Sequence, residues 1–181
     1  MNPIFSKRHS GRSYDPARKV SRADLKTILE AARWAPSCYG EEPWRFIICE
    51  KGKEAYEKVL GTLAPPNKKW AENAPILIIS VVCFTFSKTQ QHNRWAAYDT
   101  GAASISLGLQ AGDLGLMAHE MGGFDLPALT RAFELPEDCI PMAIIALGHE
   151  SKDAPDKNAL RSRKPLDENF FEDAWGKGIE F

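Results

Sequence analysis

Long apolar runs are missing from this 181-residue chain. Nothing in it approaches the about 18 uninterrupted apolar residues of a membrane span. The opening Met1 to Arg8 also lacks the roughly 7–15-residue apolar core of a secretory leader. The expectation is a soluble, cytoplasmic protein. Cysteine is scarce: Cys38, Cys49, Cys83 and Cys139 are widely spaced and form no C-x-x-C pair. Such spacing gives no disulfide framework, so four reduced thiols are expected. A dominant charge sign is missing as well. Lys and Arg number 23 against 24 Asp and Glu, a net charge of -1, which removes the broad positive field of a nonspecific nucleic-acid binder.

Several motifs are absent too. The four histidines show neither H-x-x-x-H nor H-E-x-x-H spacing, so no zinc site is expected. Gly-x-Ser-x-Gly, the Walker A loop and Gly-x-Gly-x-x-Gly are all missing, which takes the best signatures from hydrolase, phosphate-loop and dinucleotide-fold readings. With 12 Pro and 13 Gly the chain is no low-complexity tract, and 44% apolar with 26% charged residues fits one globular domain.

What is present is an uneven charge distribution. Residues 1–33 carry eight basic and three acidic side chains, a local +5, which leaves -6 for the remainder. The positive segment points to a small local anion. Within it, Arg8-His9-Ser10-Gly11-Arg12 combines two guanidiniums, a hydroxyl and an imidazole around a glycine that frees the backbone to curl. Planar guanidiniums bind phosphate bidentately, and a hydroxyl adds a donor. The alternative is a solvated surface pair. Arg161-Ser162-Arg163-Lys164 repeats this chemistry near the other end, and the two clusters would form one phosphate clamp if the ends of the chain meet.

Patterning places the elements. Ser21 and Asp24 precede Leu25, Ile28, Leu29 and Ala32, giving a capped amphipathic helix that ends at Ala35-Pro36. Strands are predicted from Trp44 to Cys49, from Ile76 to Phe84 and from Cys139 to Leu147, with a further short run, Leu116 to Glu120. Glu54 to Leu60 reads as helix, and Pro65-Pro66 as a break before a turn around Trp70. Ala96 to Leu114 is helical and nearly uncharged on every face, so it belongs in the centre of the fold or between subunits. Its glycines would be offset by close backbone packing. Asp125 caps a helix running to Phe133, and the tail Phe170-Phe171 to Trp175 should dock on its own core or on a neighbour.

Other segments carry potential chemistry. The loop Ala35-Pro36-Ser37-Cys38-Tyr39-Gly40 to Pro43 is held by prolines at both ends, as loops lining ligand sites often are, although an ordinary turn would look the same. Cys38 has no assignable His or Asn partner, so a catalytic thiol is not expected. Gly122-Gly123 can aim successive N–H groups at one acceptor, or simply form a turn into the Asp125 cap. The segment Thr85 to Arg94 is polar between aromatics and has the makings of a lid.

Taken in order, Arg8-His9-Ser10-x-Arg12-x-Tyr14-Asp15, Ala35-Pro36-Ser37, Pro43-Trp44-Arg-Phe, the small-residue helix from Tyr98, Gly115 to Asp125, Ala146-Leu-Gly-His149 and Arg161-Ser-Arg-Lys-Pro165 resemble the FMN-dependent nitroreductase family. The resemblance covers about residues 6–168. It implies an α+β fold: a three-layer α/β/α sandwich around a mixed, mainly antiparallel sheet, with a domain over 1–168 and an aromatic tail over 169–181. It also implies a homodimer with FMN at the subunit boundary and NADH or NADPH as electron donor. In such a protein Arg8, Ser10 and Arg12, with His9 beside them, would bind the flavin phosphate and ribityl chain, and Arg161 and Arg163 would close the phosphate site. Pro36, Ser37, Cys38 and Gly40 would approach the ring from the partner subunit. Gly122 and Gly123 would offer N–H groups to the ring.

Hydride would pass from nicotinamide to a nitroaromatic, quinone or similar small acceptor by a ping-pong sequence, with no side chain needed as catalytic acid or base. Two departures stand out: Gly40 where many members have Asn, and Glu42 where many have Gln. The acidic pair Glu41-Glu42 would oppose negative charge on the ring unless Lys68 or Lys69 offsets it. Alternatives on the same scaffold are a non-redox flavin-binding or storage protein and a reductive dehalogenase or enone reductase.

Overall fold

The computed structural model describes residues 1–154 and 162–179. A short helix, α1 (Pro3–Lys7), leads into the extended Arg8–Ser13 segment. Helix α2 (Arg22–Arg33) starts where Ser21 caps it, the Ser21 hydroxyl accepting from the Asp24 N–H. Its apolar positions Leu25, Ile28 and Ala32 are buried, as the 3.6-residue period requires. A 3-10 turn, Cys38–Gly40, precedes strand β1 (Trp44–Glu50).

Helices α3 (Glu54–Thr62) and α4 (Pro65–Ala71) follow. The expected break at Pro65-Pro66 is in fact the start of α4. Proline at the first helical positions sacrifices only N–H groups that would have no helical partner. Strand β2 (Ile76–Cys83), helix α5 (Ala96–Asp113), strand β3 (Met117–Met121), helix α6 (Leu126–Ala132) and strand β4 (Cys139–Gly148) complete the domain.

The sheet order is β1-β2-β4-β3, and each of its pairings is antiparallel. Strand β2 is buried along almost its whole length, so its two faces support two cores. On one side Leu77, Ile79, Val81 and Ile144 meet Tyr56 and Val59 of α3 and Leu129 of α6. On the other Ile76, Ile78, Ile145 and Leu147 meet α2 and the Ala103, Leu107 and Ala111 face of α5. These are the three layers anticipated from the sequence.

The cysteines require a correction. The β2–β4 register sets Cys83 directly opposite Cys139, and the two form a disulfide. Sequence spacing concealed this because the residues lie 56 apart and become neighbours only through strand pairing. Cys38 and Cys49 are free, and burial pushes the Cys49 thiol up to about 11.

The tail forms a small hairpin of its own, bridged from Phe171 to Gly178, with the Phe171 and Trp175 rings 5.1 Å apart. Trp175 is 93% exposed on this chain, so the tail does not place it in the chain's own core. No helix among the described residues is long and apolar enough to cross a membrane.

Candidate functional site

The Arg8–Arg12 loop is fixed from below. His9 Nε2–H donates to Glu150 Oε1 at 2.8 Å, with both side chains mostly buried. His119 on β3 donates its Nδ1–H to the Gly11 carbonyl at 2.8 Å. Glycine is required at position 11. A Cβ there would collide with Met117 Sδ and lie 3.1 Å from Glu150 Oε1 and 3.2 Å from His9 Nε2. Just beyond the loop, Ser13 to Asp15 pairs with the extension of β4: Ser151 N–H donates to Ser13 and Asp15 N–H to His149, both at 2.9 Å.

Charged groups gather on this platform. Arg8 Nη1 donates to Ser10 Oγ at 3.2 Å, and Arg12 is exposed. The Arg8 backbone lies against Gly112 of α5, where a Cβ would stand 3.2 Å from Arg8 Cα, and its stem passes Gly108. Two of the helix glycines thus admit the close approach that their conformational cost demanded. His119 packs against Trp70 with ring centroids 4.5 Å apart and the planes tilted by 33°, and Trp70 stacks in turn on Tyr14. Burial lowers His119 below the ordinary imidazole range, and the nearby Arg12 and Arg8 push the same way against the hydrogen bond to Gly11. Burial raises the Glu120 carboxyl, with Arg8 pulling it part of the way back.

The Gly122-Gly123 turn follows β3, about 10–13 Å along the strand direction from His119. Both glycines are exposed. The Gly123 carbonyl accepts from Ala64 N–H at 3.0 Å and from Asn67 Nδ2 at 3.1 Å, so α4 sets the turn. A side chain at Gly123 would strike Asn67, whereas one at Gly122 would meet nothing. Open space therefore lies over the Gly122 backbone. Asn67 was not legible in the sequence, because nothing near it in the chain signals its partner.

The Pro36–Gly40 loop sits elsewhere. Cys38 N–H donates to Asp99 Oδ2 at 2.9 Å, Ser37 Oγ accepts from Glu42 N–H at 3.0 Å, and Tyr39, Gly40 and Glu42 all have positive φ. Asp99 lies in the first turn of α5 and Gly112 in its last, so this loop and Arg8 are about 20 Å apart along the helix. One chain keeps Arg8, His9, Ser10 and Arg12 in one loop beside His119 of β3, the strand that runs into the Gly122-Gly123 turn, and holds Pro36, Ser37, Cys38 and Gly40 toward the other end of α5.

Glu41 is already engaged. Its Oε1 accepts from Ser87 N–H at 2.8 Å, which with nearby Lys88 and Arg45 holds its carboxyl below the usual range. Tyr39 meets Phe86 edge-on with centroids 6.2 Å apart. The 85–92 segment, closed by a Thr85–His92 bridge, is therefore tied to the Pro36–Pro43 loop. Lys68 and Lys69 are exposed in the last turn of α4. Arg163 is exposed and donates to the Ser162 carbonyl, while Arg161 lies outside the described residues. A cleft of about 410 Å³ lies between the start of α2 and the Glu50–Lys51 turn. None of the expected site residues lines it, and its Arg22 and Lys51 are already engaged by Glu50 and the Glu72 carbonyl.

The donor set fits FMN. Arg8 with Ser10 and the exposed Arg12 supply donors of the kind a phosphate takes, and the uncovered Gly122 backbone leaves room for a planar ring. Among the described residues, no cluster of His, Cys, Asp or Glu could hold a metal.

Known proteins agree with this architecture. The profile of the Nitroreductase family matches residues 5–149. A Methanothermobacter thermautotrophicus protein, named as a candidate NADH dehydrogenase/NAD(P)H nitroreductase, is 33% identical over 149 residues, spanning 80% of this chain and 74% of the relative. A crystal structure of an oxidoreductase containing FMN superposes with a TM-score of 0.87 at 30% identity, covering 98% of this chain and 93% of that one. A candidate nitroreductase in complex with FMN from Desulfovibrio desulfuricans gives 0.76 at 25% identity, covering 97% and 99%. The family profile and these relatives define an oxidoreductase. The chain belongs to the nitroreductase family.

Proposed function

We propose that the protein is an FMN-dependent NAD(P)H oxidoreductase that works as a homodimer, with each flavin held between two copies. The observation that carries this reading is the Arg8–Arg12 loop, fixed through His9 and Gly11 with Arg12 exposed, on a chain that superposes almost completely on an FMN-containing oxidoreductase. Arg8, Ser10 and Arg12 bind the phosphate, Arg163 and Arg161 close over it, and the Gly122 and Gly123 N–H groups meet the ring edge.

The separation along α5 supports the shared site. The Pro36–Gly40 loop lies about 20 Å along α5 from Arg8 of its own chain, which suits a loop that serves the partner's flavin. The outward side of α5 and its surroundings are suited to that pairing: Tyr98 is 81% exposed, Ile105 43% and Trp34, bordered by Glu30 and Arg33, 76%. Exposed aromatics grouped in this way mark a contact surface. The aromatic tail over 169–181, with Trp175 uncovered, docks on the same partner. The expected compartment is the cytoplasm.

FMN, when bound, supplies hydride acceptance from nicotinamide and delivery to a second substrate, in two separate half-reactions. The chain's residues bind and orient. The Arg8–Arg12 loop holds the anionic end, the Gly122-Gly123 turn positions the ring, and the Tyr39–Phe86 pair contributed by the second copy borders the open side. The acceptor is a small planar molecule of nitroaromatic or quinone type. Anaerobic addition of NADH or NADPH to the FMN-loaded protein tests this. Bleaching of the flavin absorbance within seconds is expected, whereas a flavin that stays yellow would instead favour a storage protein.

A further inference from the structure

We propose that Glu150 and His119 are positioning residues that hold the Arg8–Arg12 loop in its phosphate-receiving shape, so that preference for a phosphorylated flavin depends on two side chains that need not touch the ligand. This rests on the FMN reading above.

Extended loops that bind anions must be ordered before binding, or the ligand bears the entropy of ordering them. Beyond the Arg8 N–H, which closes α1 on the Ile4 carbonyl at 3.3 Å, the 8–12 segment is neither helix nor strand. Its fixed points are side-chain bonds from distant parts of the chain. Glu150 takes the His9 Nε2–H at 2.8 Å across 141 residues of sequence, and His119 donates to the Gly11 carbonyl at 2.8 Å across 108. Both bonds are shielded from water, which strengthens them.

The supports are themselves rigid. Glu150 lies in the stretch that continues β4 and bridges to Tyr14, whose hydroxyl donates to the Ala146 carbonyl at 2.8 Å. His119 lies in β3, paired with Ala146, and its ring packs against Trp70. Arg8 and Arg12 therefore flank two anchored residues, His9 and Gly11. Releasing either anchor frees the guanidiniums without removing them.

Dissociation constants for FMN and for riboflavin, which lacks the phosphate, test this in the full-length protein and its Glu150→Leu, Glu150→Gln and His119→Phe variants. The wild type is expected to prefer FMN. Glu150→Leu should weaken FMN about tenfold or more and leave riboflavin unchanged, as expected for a lost bond to a charged group. Glu150→Gln, which keeps an acceptor oxygen, should restore most of the affinity. His119→Phe keeps a ring against Trp70 but removes the donor, and should also lose FMN selectively.

Unchanged FMN affinity in Glu150→Leu and His119→Phe would overturn the proposal. So would equal losses for both flavins, which would indicate general damage, or a Glu150→Gln as weak as Glu150→Leu. A wild type that binds neither flavin would refute the FMN reading itself, a result distinct from those three.

Discussion

The N–H of Cys38 donates to the buried carboxylate of Asp99 at 2.9 Å, joining a proline-bounded loop to the first turn of the central helix. A carboxylate in that position also interacts favourably with the positive end of the helix. Asp99→Ala should destabilise the fold by about 1–3 kcal/mol, since a part-buried N–H loses its acceptor. Urea denaturation with unchanged slope would measure it, and a midpoint equal to that of the wild type would show that the bond is incidental.

Arg12 is exposed and makes no hydrogen bond or ion pair among the described residues, so its removal should act mainly on ligand binding. Arg12→Ala is expected to weaken FMN by about 1–3 kcal/mol with stability unaltered. Flavin affinity equal to the parent's would remove Arg12 from the phosphate site.

The cross-strand disulfide leads to a count. Thiol titration of the unfolded, unreduced protein should find the two free cysteines, Cys38 and Cys49, rather than four. Reduction should lower stability by about 2–4 kcal/mol, the usual contribution of a native cross-link. Four titratable thiols in the purified protein would contradict the bond.

His119 sets a pH dependence. Its folded value lies below the ordinary 6.5, so between that lowered value and 6.5 the unfolded chain binds the extra proton and the folded one does not. Stability should therefore fall as pH drops through about 6.5. His149, also lowered by burial, has the same sign, so His119→Phe should shrink this slope rather than abolish it. Denaturation midpoints across pH 5–8 would show it, and an identical slope in the variant would exclude His119 as a source.

Much of the fold was legible because its signals are local. Ser21 before an apolar period gave α2, Asp125 gave α6, and runs such as Ile76 to Cys83 gave the strands. Local signals failed at α4, where two prolines read as a break although they occupy helical positions that need no donor. The candidate site divided in the same way. Arg8, Ser10 and Arg12 declare themselves by side-chain chemistry within five residues. Their supports do not, because Glu150, His119 and Asn67 reach His9, Gly11 and Gly123 only after the sheet and α4 have assembled. The Cys83–Cys139 bond escaped for the same reason: strand register, not spacing, makes it.

The shared flavin site is tested most directly by light scattering with simultaneous absorbance on the FMN-loaded protein. A single species with the mass of two chains and about one flavin per chain is predicted. A species with the mass of one chain that keeps its flavin would contradict the account.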